Sequence, residues 1–551
     1  MISKLEKKDF DRELDRWPDK PLLLCEYTHA MGNGNGNLDA YWDKVYSNPR
    51  IAGLFVWDWM DQGIRQEIPY GKLDPWGDEI FFAYGGWWEE RANVYHDDNF
   101  CMNGLIDANW QPHPGLVALK HYQQPITGKL VEIKGKSVLE ITNRLDFTNV
   151  DEVFDITWEL LENGVLIGSG VFDLPKVTPH QTVNISLPKV VVEVSGKERM
   201  LSLSYQTKQA SAFWEKGYEL GWDQFKISGD WTMPDWKTST SVAVEISDNE
   251  TQITFTGTDW EMLFDKKMGR LLTWNKNDIA LIERGGQPDF WRAPTDNDRG
   301  AGLGTPKAHQ SYNRALTESN DWKDEGVKWK PNSIDIKELS GEVQQLSFSG
   351  PLLDGKAMLQ INYDIYPNGD LKVDFLYSAA EDLAILPRVG MEWILPLEFD
   401  QFEWYGPGPL PTYSDRNVEK VGIYTSTAMD NWVDYSKPQE NGNKAEVRWV
   451  KVRNEQGNGL QITSNQLFNF NLMPYGKKVI TDTKYSWQLP QSERIYMNID
   501  HRQLGVGGDN SWGAICLPEY QLKAKEYKYS YYMRPTGFEN SNSSSVNLNQ
   551  K

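Results

Sequence analysis

The alternation of hydrophobic and polar positions divides the chain into three textures. In the first, KLEKKDFDRELDR (4–16) is mostly polar, with Leu5, Phe10 and Leu14 as sparse apolar contacts. That pattern predicts a short helix, and Pro18 discourages its continuation. PLLLCE (21–26) is a continuous apolar run, the pattern of a strand buried on both faces. A Gly/Asn-rich loop follows, MGNGNGN (31–37), then LDAYWDKVYSN (38–48), which reads as a helix with Asn37 as its N-cap. IAGLFVWDW (51–59) reads as a second buried strand. Strand, helix and strand within this span form a βαβ unit, so the two strands should be parallel.

From about residue 128 the texture becomes short alternating runs bounded by turn residues: KLVEIKG, SVLEITNRL, FDITWELLENG, HQTVNISLP and MLSLSYQT. Roughly seven strands in about 100 residues predict an immunoglobulin-like sandwich. GDWTMPDWKT (229–238) marks a boundary, and from about 240 to 535 nearly everything reads as short strands, a large β-sandwich. NSNSSSVNLNQ is polar and of low complexity, which predicts a disordered tail. The expected domains are therefore 1–126, 127–238 and 239–535, with 536–551 as the tail. No internal repeat is visible.

Composition narrows the classes. A chain of 551 residues exceeds one core, so two to four domains are expected. No window approaches the length of apolar residues that a membrane span needs, and the charged N-terminus has no apolar signal core. A net charge of −21 argues against nucleic acid as a partner. Cys25, Cys101 and Cys516 form no CxxC pair and read as buried thiols in a reducing, cytoplasmic setting. The seven histidines contain no HxH or HExxH spacing, so a locally built transition-metal site is not expected. The 24 tryptophans change the picture most. Each is better explained as core than as a sugar platform unless its surroundings say otherwise.

Such surroundings exist at CEYTHAMGN (25–33). In parallel α/β barrels functional residues sit at the carboxyl ends of strands, and Glu26 ends the first apolar run. Trp57, Asp58, Trp59 and Asp61 end the second. A carboxylate beside tryptophans at a barrel mouth suits glycoside hydrolysis. The competing reading pairs Glu26 with a loop cation and buries the tryptophans.

CEYTHAMGNGNGNLDAYWD, GLFVWDWMDQ and FCMNGLIDANWQPHPGLVALK resemble the large bacterial β-galactosidases of glycoside hydrolase family 2. DFWRAPTDND (289–298), EWYGPGPLPTYSDR (403–416), QENGN (439–443) and GVGGDNSW (505–512) follow in that family's order. The resemblance implies the C-terminal part of a TIM barrel, an immunoglobulin-like domain and a large sandwich. It implies Glu26 as the nucleophile, kept ionised by a donor such as Tyr27 or His29. It implies His29 on the galactose hydroxyls, Trp57 as the platform, and Trp512 on the aglycone side. It further implies the Phe100 carbonyl and Asn103 as ligands of a sodium ion at the sugar. Asp296 and Asn297 match a loop near the site without a chemical role, and Asp58 and Asp61 match framework residues.

A retaining glycosidase needs a second carboxyl group about 5–5.5 Å from the nucleophile. The family's acid/base glutamate, and the magnesium site that includes it, lie upstream of the nucleophile. Here only 25 residues precede Glu26, and their carboxylates (Glu6, Asp9, Asp11, Glu13, Asp15, Asp19) lie in the polar helix or the loop after it. The expectation is a β-galactosidase chain whose acid/base and magnesium ligands lie elsewhere, on a missing N-terminal portion or a partner subunit. The complete enzyme would be a homo-oligomer. The alternative is a non-catalytic carbohydrate-binding or complementing β-sandwich subunit.

Overall fold

The computed structural model describes residues 7–88, 94–193, 195–234, 243–305, 314–380 and 382–538. The expected tail lies from residue 539 outside the described residues, as do Leu5, Glu6 and the end of the boundary loop from 235.

The opening region forms α1 (Lys7–Arg16), β1 (Leu22–Tyr27), α2 (Leu38–Ser47) and β2 (Ile51–Val56). The two strands pair in parallel, Leu22 opposite Ile51 and Tyr27 opposite Val56. This is the βαβ unit expected from the apolar runs. α3 (Pro114–Tyr122) begins with proline, whose missing N–H costs nothing in a first turn. Leu24, Tyr27, Leu38, Tyr41, Ile51, Ala118 and Leu119 close a core between these strands and helices.

Two expectations fail here. Neither strand is buried on both faces: Leu23 is 55% exposed, Phe55 60% and Trp57 42%. One face meets α2 and α3, and the other has no layer against it among the described residues. Asn37 is not an N-cap by its side chain. It sits in the left-handed region at φ 59° with no side-chain capping bond. Its N–H donates to Asp415 O (2.9 Å), and its Oδ1 accepts from Leu517 N (3.3 Å). Contacts with the distant terminal unit outcompete the local cap. A short antiparallel hairpin, β3 (Ile64–Glu67) with β4 (Ile80–Ala83), completes this region.

The middle region holds seven strands in two sheets. β5 (Ile126–Ile133), β6 (Lys136–Asn143) and β9 (Thr182–Ser186) make one. β7 (Phe154–Glu162), β8 (Val165–Val171), β10 (Arg199–Thr207) and β11 (Glu219–Ser228) make the other, in the order β11-β10-β7-β8. Alternating residues from both sheets, among them Leu139, Ile141, Ile156, Leu160, Leu201 and Leu203, share one core.

The terminal region, from Glu245 to Thr536, is built of antiparallel strands linked into one curled sheet. Its spine is the 15-residue strand Gly459–Met473. The first part of this strand pairs with Tyr527–Thr536, and the last part with Arg494–Gln503. Trp274, Trp322, Trp393 and Trp404 are fully buried in it, so much of the tryptophan content is core. The cysteines are not uniformly buried. Cys516 is, Cys101 is half-buried and Cys25 is exposed, because Cys25 lies on the bare face of β1.

Candidate active site

Glu26 is half-buried one residue before the end of β1, and Trp57 directly follows β2. Three segments lace together beyond these strand ends. Ala30 N donates to Trp57 O (2.8 Å), and Asp58 N to Asn103 O (2.7 Å). Leu105 N returns to Asp58 O (3.0 Å) and Ile106 N to Trp59 O (3.1 Å). The approach is close enough that a Cβ on Gly104 would come well inside 3.0 Å of the Asp61 and Met60 backbone.

His29 is buried in this lacework. Its Nδ1 lies 2.9 Å from Ser511 Oγ, and its Nε2 lies 3.3 Å from Asn103 Nδ2. It stacks on Phe100, ring centroids 5.2 Å apart, and meets the Trp512 ring edge-on at 5.4 Å. Burial pushes its pKa down to about 4 although Asp296 and Asp58 pull the other way, so the imidazole is neutral at pH 7. Trp512 itself stays 48% exposed. The structure thus brings His29, Phe100, Asn103 and Trp512 into one cluster beside the strand ends that carry Glu26 and Trp57.

Asn103 Oδ1 is buried without a hydrogen-bond donor. A buried orphan acceptor is costly unless a cation or a ligand hydroxyl meets it. The Phe100 carbonyl, three residues earlier in the chain, receives no hydrogen bond among the described residues. These two oxygens fit a hard monovalent cation, which takes oxygen ligands. Among the described residues no group of three or more His, Cys, Asp or Glu gathers to hold a metal ion.

The loop after His29 is held from outside. Asn33 N donates to Gln439 Oε1 (3.1 Å), and Asn33 Nδ2 to Glu440 O (2.7 Å). The Arg416 guanidinium donates to Asn33 Oδ1 (2.6 Å) and also to Gly34 O. The Asp415 carboxylate presses on Gly36 while accepting Val506 N (3.0 Å) and Gly507 N (2.7 Å). Arg292, fully buried, pairs with Asp298 at 2.9 Å and donates to Leu504 O (2.5 Å) and Gly505 O (2.9 Å). Four separated motifs of the terminal region therefore converge on one loop beside Glu26.

Asp296 is structural in this arrangement, and Asn297 donates from Nδ2 to Val506 O (2.9 Å). Asp296 accepts from Asn99 (3.0 Å), Arg299 (3.0 Å) and Gln439 (2.9 Å). Asp58 accepts its neighbour's N–H (2.5 Å) and Gln62 Nε2 (2.7 Å). Asp61 is buried, accepts Gly104 N (2.7 Å), and is pushed up to about 8 by that burial.

Tyr27 and His29 do not serve Glu26 as expected. A break in the strand register between Leu24 and Tyr27 turns Tyr27 into the helix-covered core, where its hydroxyl accepts Trp42 Nε1 (3.1 Å), and both His29 nitrogens are engaged elsewhere. Among the described residues no hydrogen bond reaches the Glu26 carboxylate. Sequence reasoning also missed Ser511, Arg416 and Gln439 as individuals. Each lies inside a quoted motif, and only the fold shows what it grips.

Comparison with known proteins identifies the family. Three family models match in chain order: "Glycosyl hydrolases family 2, TIM barrel domain" over residues 2–128, "Beta-galactosidase, domain 4" over 139–228, and "Beta galactosidase small chain" over 256–533. Their sequence defines the class as a family 2 glycosyl hydrolase. The chain belongs to the β-galactosidases of that family. Relatives named β-galactosidase include one from Priestia megaterium, 32% identical over 94% of this chain and 48% of the relative. Another, from Actinobacillus pleuropneumoniae, is 30% identical over 95% of this chain and 49% of the relative. The chain spans about half the length of the curated relatives it matches.

Proposed function

We propose that this chain supplies the nucleophile side of a retaining β-galactosidase, hydrolysing terminal β-D-galactosides such as lactose. The observation that carries the reading is Glu26 at the carboxyl end of β1, beside Trp57 and the His29–Phe100–Asn103–Trp512 cluster. In this reading Glu26 attacks the anomeric carbon, and the aglycone oxygen leaves with a proton from a general acid. Water activated by the same acid/base group then releases galactose with net retention. Trp57 offers its exposed face to the sugar ring, and Asn103, held in place by neutral His29, meets its hydroxyls. Trp512 flanks the aglycone. Phe100 O and Asn103 Oδ1 would hold a sodium ion, which when bound supplies positive charge to orient a sugar hydroxyl.

The acid is assigned outside this chain, together with the magnesium ligands. Asp58 is held by two donors and Asp61 is buried, so neither is free to protonate a leaving group. The bare face of β1 and β2, with Leu23 and Phe55, is where further barrel strands would pack, from an N-terminal portion or a partner subunit. The finer architecture under this reading is the C-terminal part of a (β/α)8 barrel, an immunoglobulin-like sandwich and a large terminal sandwich. The assembled enzyme would be a cytoplasmic homo-oligomer with neither nucleic acid nor membrane as partner. No helix among the described residues is long and apolar enough to cross a membrane.

The test is hydrolysis of an aryl β-D-galactoside by the chain alone and mixed with the remaining barrel portion of a relative, with Glu26→Gln beside it. Activity only in the mixture, lost in the variant, is expected. Activity of the chain alone would move the acid role to one of its own carboxylates. Association without activity would favour a carbohydrate-binding subunit.

A further inference from the structure

We infer that Ser511 and Asn297, both from the terminal region, fix the tautomer of His29 and thereby set which way the Asn103 amide faces. The inference rests on the sugar-site reading only for its effect on catalysis. The argument starts at a backbone carbonyl, which can only accept. Asn297 Nδ2 donates to Val506 O at 2.9 Å, so the opposite atom of that amide, Oδ1, must be an acceptor. Ser511 Oγ lies 2.7 Å from it and spends its single proton there. Towards His29 Nδ1, 2.9 Å away, Ser511 then has only lone pairs, so Nδ1 carries the hydrogen.

A neutral imidazole protonated on Nδ1 is bare on Nε2. That nitrogen must accept, and the group 3.3 Å from it is the Asn103 amide nitrogen. Asn103 is thereby held with NH2 towards His29 and Oδ1 away from it, the orientation in which Oδ1 is the orphan acceptor. One carbonyl thus polarises a run of four side chains across two regions of the molecule. Had Ser511 been an apolar residue, His29 would be free to protonate Nε2, and Asn103 would turn its oxygen to meet it. The acceptor facing the sugar and its cation would then become a donor. Ser511 and Asn297 touch neither substrate nor cation in this scheme, so they are positioning residues.

The test reads the tautomer directly. Two-bond 1H–15N correlation spectra of the histidine-labelled chain, with His29 assigned by difference against His29→Asn, should show hydrogen on Nδ1 and a bare Nε2. Ser511→Ala should move the hydrogen to Nε2, and Ser511→Thr should restore the native pattern. In the complemented galactosidase assay, Ser511→Ala should raise KM about tenfold with kcat within about threefold, and Ser511→Thr should recover most of it. A wild-type His29 protonated on Nε2, or a Ser511→Ala spectrum unchanged from wild type, overturns the relay whatever the activity. The expected spectra with no galactoside hydrolysis by the complemented wild type overturn the sugar reading and leave the relay standing.

Discussion

The Arg416 guanidinium donates to Asn33 Oδ1 at 2.6 Å, joining residues 383 positions apart in the chain. The loop it grips alternates Gly and Asn, carries little apolar area, and has Gly32, Asn35 and Asn37 in the left-handed region. Such a segment has high conformational entropy and no shape of its own. Its shape comes from the terminal region.

Arg416→Ala should therefore loosen the loop that carries His29 into the site. Two buried bonds from a charged donor disappear, a loss of about 2–4 kcal/mol. The expected result is a lower thermal midpoint together with a raised KM in the complemented assay. Arg416→Lys should recover only part, because one ammonium cannot reproduce the fork that spans Asn33 and Gly34.

Local pattern carried the elements well and their surroundings poorly. The runs 21–26 and 51–59 became parallel β1 and β2 because apolar continuity is a strong strand signal. Their burial on both faces did not follow, since that depends on neighbours no local pattern contains. The hairpin strand Ile64–Glu67 (IRQE) was missed because four mostly polar residues carry no periodicity. Glu26 was legible from its place after an apolar run. Ser511 was not, because its meaning lies in a contact with His29 across 482 residues.

Asp61 gives a pH-dependent expectation. Burial lifts its folded pKa to about 8, whereas the unfolded chain titrates near 3.8. Between those values the folded state holds the extra proton, so stability falls as pH rises through the window, by at most about 1.4 kcal/mol per unit. Asp61→Asn stays neutral and keeps an oxygen for Gly104 N–H. Its thermal midpoint should gain on wild type steadily from pH 5 to pH 8. A constant offset across that range would show that Asp61 does not titrate there.

Gly104 tests the lacework at the strand ends. An added Cβ would collide with the backbone of Asp61, Met60 and Ile106, none of which can swing aside as a side chain can. Gly104→Ala should separate the segment carrying Asn103 from that carrying Asp58, lowering the thermal midpoint and abolishing complemented activity. At Gly196 a Cβ would meet nothing within 4 Å, so Gly196→Ala should stay within about 0.5 kcal/mol of wild type. Equal effects of the two would refute the close-approach argument.

The joint between the middle and terminal regions turns on Glu198. Its carboxylate accepts from Arg448 at 2.7 and 3.0 Å and from the Tyr405 hydroxyl at 2.5 Å, with Glu198 and Arg448 both buried. Burial alone would raise its pKa, but Arg448 and Tyr405 more than offset this and hold it below the usual range. Glu198→Gln strands the guanidinium without a counter-charge, which typically costs about 3–5 kcal/mol. Removing the arginine as well eliminates the stranded charge, so Glu198→Gln should be rescued in large part by adding Arg448→Met. Thermal midpoints of the wild type, the two single variants and the double variant measure this. A double variant as unstable as the sum of the singles would mean that the pair acts through packing alone.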